Sequence, residues 1–287
     1  MAMRNEAHFG PTGFYWFMVS HNILLHQECV QTGGRILDAW IGAHASTAPL
    51  RVLDLACGGE PVAIAALMEQ FPAHVFEYTG VDIHADQAQQ ARSTFRWPAN
   101  VHGTICEGNA WELQTLPLPG PFEIVFSGLN FHHGTPEELA FVGRALLTVM
   151  PRGGILLSHD LFRPSAIPYR RRPDRDAQST APFSLVSPAD MVAAGIPARR
   201  LPGENSEPRD WREDLIAKLD QEIRRHGGDD VGREMNHAHI RARDFPVSAP
   251  ELATILTEIG FETHVYDYEQ SGHPMQEYFA MIAAYKL

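Results

Sequence analysis

The apolar positions of this chain alternate between short runs and longer stretches of helical spacing, with glycine and proline marking the changes between them. Val52-Leu-Asp-Leu55 has strand propensity and gives way to Ala56-Cys-Gly-Gly-Glu-Pro61, where Gly58 and Gly59 let the main chain turn sharply and approach a ligand closely. Pro61 suits the first turn of a helix that continues over 62–68. The same succession recurs downstream. Strands are predicted over 76–83, 101–106, 122–126 and 155–160, with helices from residue 85 and over 136–150. Upstream, 14–31 lack proline and glycine and predict one helix, which Gly33-Gly34 ends before a second helix over 35–45. Residues 161–244 break the rhythm and hold a helix-like stretch over 210–226. Ser248-Ala-Pro-Glu251 then opens a last helix with a capping box, and 262–268 and 278–286 read as closing strands.

Composition narrows the picture. With 287 residues, 44% of them apolar, the chain can bury a full core, and one α/β domain with a substantial insertion is expected. There is no uninterrupted apolar run of about eighteen residues and no basic leader before an apolar segment, so a soluble cytoplasmic protein is expected. The three cysteines, Cys29, Cys57 and Cys106, lack zinc-ligand spacing and cannot all pair, which suits a reducing compartment. A net charge of −12 argues against a broad nucleic-acid footprint. The fifteen histidines are scattered and read by default as core and surface residues. His237 and His239 have the alternate spacing that would bring both imidazoles to one side of a strand. Two ligands make a poor metal site, and no metal is expected.

The turn after Leu55 separates two ligand classes. A dinucleotide site wants G-x-G-x-x-G, with helix amides facing a pyrophosphate. Here Ala56 stands at the first glycine, and the Glu60 carboxylate at the helix start would repel a pyrophosphate. A ligand with cationic centres, such as S-adenosylmethionine, tolerates acidic neighbours, and Asp54 could serve its ammonium group.

Residues 52–161 resemble the core of a class I S-adenosylmethionine-dependent methyltransferase of the small-molecule type. The family's first motif, V-L-D-x-G-x-G-x-G, is similar to Val52-Leu-Asp-Leu-Ala-Cys-Gly-Gly-Glu60, with Ala56 and Glu60 as departures. The resemblance implies a doubly wound Rossmann-like α/β fold: a seven-stranded sheet, mostly parallel with an antiparallel last strand, with N-terminal helices and a helical cap insertion. It divides the chain into an N-terminal lid (1–48), a cofactor-binding core (49–162), a cap (163–246) and a closing segment (247–287). It implies S-adenosylmethionine as cofactor, held by Asp54, Ala56, Gly58, Asp82, Ile83, Asn109, Ala110 and Ser127. Asp82 would accept hydrogen bonds from the ribose hydroxyls, and Ile83 would lie against the adenine. Asn109 and Ala110 stand where the family commonly reads the adenine amino group, although Asn109 also suits an ordinary turn.

In an open parallel sheet the C-terminal strand ends line the ligand crevice, so Ser127-Gly-Leu-Asn-Phe-His-His133 should face the reacting methyl group. This segment lacks the N-P-P-Y or D-P-P-Y tetrapeptide of enzymes that methylate nucleobase amines. A base is needed if the acceptor is a hydroxyl or protonated amine, and His133, then His132, are the candidates. The competing reading has one of them packing and the other facing solvent. Candidate substrate contacts are Tyr15 and Trp16 from the N-terminal helix, Asn130, His159 at the fifth strand tip, and Tyr169 at the head of the arginine-rich run 169–176, itself most simply a solvated face. The expected activity is methyl transfer to an oxygen or nitrogen nucleophile of a small molecule. The alternatives are an enzyme using the aminopropyl chain of the same cofactor, or a non-catalytic cofactor-binding module. Expected partners are a small-molecule acceptor and neither nucleic acid nor membrane, with a homodimer left open.

Overall fold

The computed structural model describes residues 13–44, 48–169, 193, 195, 201, 211–244, 246–268 and 271–287. The run 170–176 lies outside them. Seven strands form one sheet: β1 (Leu50–Leu55), β2 (Phe76–Asp82), β3 (Val101–Glu107), β4 (Ile124–Gly128), β5 (Ile155–Leu161), β6 (Phe261–Asp267) and β7 (Phe279–Lys286), in the order β3-β2-β1-β4-β5-β7-β6. All neighbours are parallel except those of β7, which runs antiparallel to both β5 and β6. This is the doubly wound, Rossmann-like sheet with an antiparallel last strand. Every residue of β5 is buried, as befits a central strand covered on both faces, whereas the edge strand β6 alternates. The strand order reverses between β1 and its neighbours β2 and β4, which opens a crevice at their C-terminal ends.

Helices α1 (Phe14–Ser20), α2 (His26–Ala43), α3 (Val62–Glu69) and α4 (Ala85–Thr94) contribute to the core on one face of the sheet. Helices α5 (Pro136–Val149) and α8 (Ala249–Glu258) build the core on the other. Thr135 and Glu138 close a capping box at the start of α5, with Pro136 at its first turn. The cap contributes α6 (Trp211–Arg225) and α7 (Asp230–Arg243), whose Trp211, Leu215, Leu219, Ile223 and Ile240 join Phe14 and Met18 of α1 in one buried cluster. Gly232 of α7 lies so close to α1 that a Cβ there would come within 2.1 Å of the Phe14 ring.

Three expectations are corrected. The single helix over 14–31 is two, because residues 21–25 turn through left-handed conformations at Asn22 (φ 56°) and Leu25 (φ 54°). Asn22 tolerates that region, and its side chain holds the start of α2 through Gln27 N (2.8 Å) and Glu28 (2.8 Å). Gly33-Gly34 does not end a helix but lies inside α2. A Cβ on Gly33 would sit 3.3 Å from Leu67 and Met281, so the missing side chain allows close packing on α3 and the sheet. Finally, 236–239 is helical, which turns His237 and His239 to different partners.

Candidate active site

At the end of β1 the chain turns through Ala56 (φ 59°) and Gly58 (φ 64°). Gly58 N donates to Asp82 Oδ2 at 2.8 Å and His84 N to Oδ1 at 2.9 Å, so one carboxylate ties the turn to the tip of β2. Each oxygen keeps further acceptor capacity. A Cβ on Gly58 would meet nothing within 4 Å, whereas one on Gly59 would strike Gln87 and Gln90 at 2.8 Å. The turn is therefore packed beneath and open above. Ile83 follows Asp82 and is 55% exposed, a large apolar side chain at a strand tip. Asp54 is buried, accepts from Tyr78 Oη at 2.7 Å, and is pushed up to about 8 by burial. Burial first, and then the nearby Asp54, also raises the Tyr15 phenol.

Asn109 Oδ1 accepts from Trp111 N at 3.0 Å and turns the chain after β3, with Ala110 buried beside it. Ser127 is fully buried, and its Oγ has no hydrogen-bond partner among the described residues.

Beyond β4, the turn Phe131–His133 is organised by Asp160 at the tip of β5. Asp160 Oδ2 accepts from Phe131 N (2.6 Å) and Asn130 N (3.2 Å), while Oδ1 accepts from Leu161 N (2.8 Å) and meets His132 Nδ1 at 2.6 Å. On the far side, Asp244 at the end of α7 brings its Oδ1 to 3.4 Å from His133 Nδ1, 3.4 Å from His239 Nε2 and 3.8 Å from His132 Nε2. Burial weighs against an ionised Asp244, but His132, His133 and His239 outweigh it and hold its carboxyl below the usual range. Burial likewise opposes the His132 imidazolium, yet Asp160 and Asp244 raise it, whereas burial and the adjacent His132 lower His133.

These groups form the polar end of a cavity of about 120 Å³. Its walls are apolar: Met18 and Leu24 from the lid region, Leu215, Leu219 and Ile240 from the cap, and Leu129 and Phe279 from the sheet. Tyr15 lines it too. The structure thus brings together Tyr15, His132 and His133 of the sequence candidates, and adds His239 and Asp244.

The remaining substrate candidates lie elsewhere. His159 is buried behind the cavity, with Nε2 donating to Leu24 O and Nδ1 accepting from Tyr268 Oη, both at 3.0 Å. Burial lowers it to about 4, so it is a neutral strut between the α1–α2 connection and the sheet, not a substrate contact. Tyr169 packs in the core on the opposite face, beneath Arg163. Asn130 accepts from Trp111 Nε1 at 3.0 Å and helps set the histidine turn from outside the cavity lining. Trp16 lines a separate surface groove with Glu60, Gln87 and Gln90. His237 turns to Asp220 at 2.6 Å. No sequence signal linked His239 and Asp244 to the His132-His133 pair, since only the packing of α7 onto the sheet joins them.

Residues 52–154 match a family model described as a methyltransferase domain. Among solved structures, the plantazolicin methyltransferase BamL, in complex with a triazolic desmethylPZN analog and SAH, is similar at a TM-score of 0.54 and 12% identity, over 95% of this chain and 88% of that one. A possible exported protein from Bordetella parapertussis gives 0.50 and 15%, over 91% and 67%. Human N-acetylserotonin methyltransferase in complex with SAM gives 0.46 and 13%, over 91% of this chain and 56% of its own length, so the chain spans little more than half of that enzyme. No curated protein sequence matches the chain. Among the described residues, no helix is long and apolar enough to cross a membrane.

Proposed function

We propose that the chain is a class I S-adenosylmethionine-dependent methyltransferase, a reading supported by the match of residues 52–154 to a methyltransferase domain, and that it methylates an oxygen or nitrogen nucleophile of a small molecule held in the cavity beneath its cap. The residues at the crevice fit the cofactor. The open space above Gly58 admits a ligand edge, the Asp82 carboxylate suits a diol, and the exposed Ile83 offers an apolar platform to a base. Asp54, one residue before the end of β1, would accept a hydrogen bond from the ammonium group. When bound, S-adenosylmethionine supplies an electrophilic methyl group on a sulfonium.

What the chain has to provide is alignment. Displacement at a methyl carbon is in-line, so holding the acceptor at fixed distance and angle supplies much of the rate. Met18, Leu24, Leu215 and Leu219 would grip the acceptor's apolar body and exclude water. A neutral nucleophile must also lose a proton. The imidazoles and carboxylate at the polar end of the cavity would orient it and receive that proton.

The single observation that carries this reading is the cavity itself. It lies at the tips of β4 and β5, beside the crevice, under a lid made jointly by α1, α6 and α7. A roof of that kind suits a small acceptor better than a polymer. The test is incubation of the purified protein with the cofactor and a metabolite mixture, read by mass spectrometry. The expected result is an acceptor gaining one methyl group, with S-adenosylhomocysteine formed only when an acceptor is present. Methylthioadenosine released from cofactor alone would point instead to use of the aminopropyl chain and end this proposal.

A further inference from the structure

Three imidazoles and one carboxylate converge at the polar end of the cavity. The ligand-type atoms of His132, His133, His239 and Asp244 all lie within 4.8 Å of one another. The geometry points to a binding site for one divalent transition-metal ion of the zinc class, held by these four side chains and joining the cap to the core.

Distance is the first argument. A charge-assisted N–H···O hydrogen bond closes to about 2.7–2.9 Å. Asp244 Oδ1 instead stands 3.4 Å from both His133 Nδ1 and His239 Nε2, and 3.8 Å from His132 Nε2. A tetrahedral ion with bonds of about 2.0–2.1 Å spaces its ligand atoms about 3.3–3.4 Å apart. Asp244 Oδ1 therefore stands from two of its neighbours at the separation of ligands that share one ion, and with the whole set inside 4.8 Å a small inward movement would close the shell. Its donors also select the ion, because three imidazole nitrogens and one carboxylate suit zinc and its neighbours, whereas magnesium and calcium require oxygen.

The second argument is independent and lies one layer out. A histidine that ligates through one ring nitrogen characteristically donates the other to a carboxylate, which fixes its orientation and tautomer. His132 Nδ1 is held in that way by Asp160 at 2.6 Å, leaving Nε2 directed at the cluster. Asp160 is itself fixed by the backbone amides of Asn130, Phe131 and Leu161. Two of the ligands belong to the turn after β4 and two to the end of α7, so the ion would staple the cap onto the catalytic edge of the sheet. Four protein ligands fill a tetrahedron, which is the mark of a structural site, so with the ion bound these imidazoles no longer take the acceptor's proton and the cavity contributes alignment alone.

The test needs neither S-adenosylmethionine nor an acceptor, so its outcome is separate from that of the methyl-transfer proposal. Untagged full-length protein, stripped with chelator, is titrated with Zn²⁺ by calorimetry, with Mg²⁺ as control, and its melting temperature is followed. The expected result is one zinc per chain, a higher Tm with zinc, and no effect of magnesium. His239→Gln, on a partly exposed helix position, should weaken zinc binding at least tenfold, and Asp160→Asn by about 10–100-fold. His237→Gln, two residues before His239 on the other side of the helix and paired with Asp220, should bind as the parent does. Absence of stoichiometric zinc binding by the parent, or equal zinc affinity in the His239 and His237 variants, would overturn the proposal in favour of an ion-free hydrogen-bonded cluster.

Discussion

Asp54 shows how the burial of a single residue near the end of β1 ties the stability of the fold to pH. Its carboxyl is buried on β1 against Tyr78, and burial raises it from the ordinary value to about 8. In the unfolded chain it titrates near about 4. Between those values the folded protein holds a proton that the unfolded chain has released, so folding stability from this group is complete below pH of about 4 and is lost as the pH rises through about 8. The denaturant midpoint of the cofactor-free protein should accordingly fall between pH 5 and 8, and Asp54→Asn should flatten much of that fall. Equal slopes for parent and variant in urea titrations at several pH values would count against it. Ala56 carries a smaller cost nearby. Its left-handed conformation costs a residue with a Cβ about 1–2 kcal/mol, which glycine at that motif position avoids.

Element packing explains why the same residue type reads differently along the chain. Glycine in a helix weakens it by about 1 kcal/mol relative to alanine, so Gly33-Gly34 looked like a stop. Inside α2 the pair instead lets the helix approach α3. At Gly34 the obstacle to a Cβ is Gln70 Oε1 at 2.3 Å, the end of a flexible and exposed side chain that can swing away. Gly34→Ala should therefore be neutral or stabilise the protein by up to about 1 kcal/mol, measured as an upward shift of the urea midpoint. A clear loss of stability would mean that Gln70 is held in place more firmly than its exposure implies.

For the whole molecule, the controlling feature is that α1 and the cap helices share one apolar cluster and act as one roof. At Gly232 the neighbour is the buried Phe14 ring, which has no free space to enter. Gly232→Ala should destabilise by about 1–3 kcal/mol. The loosening should fall on the roof, so hydrogen exchange should quicken in α1 and α6 while the amides of β5 and β7 stay protected. Faster exchange throughout the sheet would show instead that the roof is not a separate unit. The strands, α3 to α5, the capping box at Ser248 and the glycine turn after β1 were legible in the sequence, because period, glycine turns and caps are local properties of neighbouring residues. The positions of Gly58, Asp82 and Ile83 at the ends of β1 and β2 were legible for the same reason, since the apolar pattern marks where each strand stops. Only tertiary structure decided that Gly33-Gly34 is a packing contact, that His159 is a strut, and that His239 and Asp244 meet His132 and His133. Those outcomes depend on which surfaces face each other after residues far apart in the chain have packed, and periodicity within one segment carries no information about its partner.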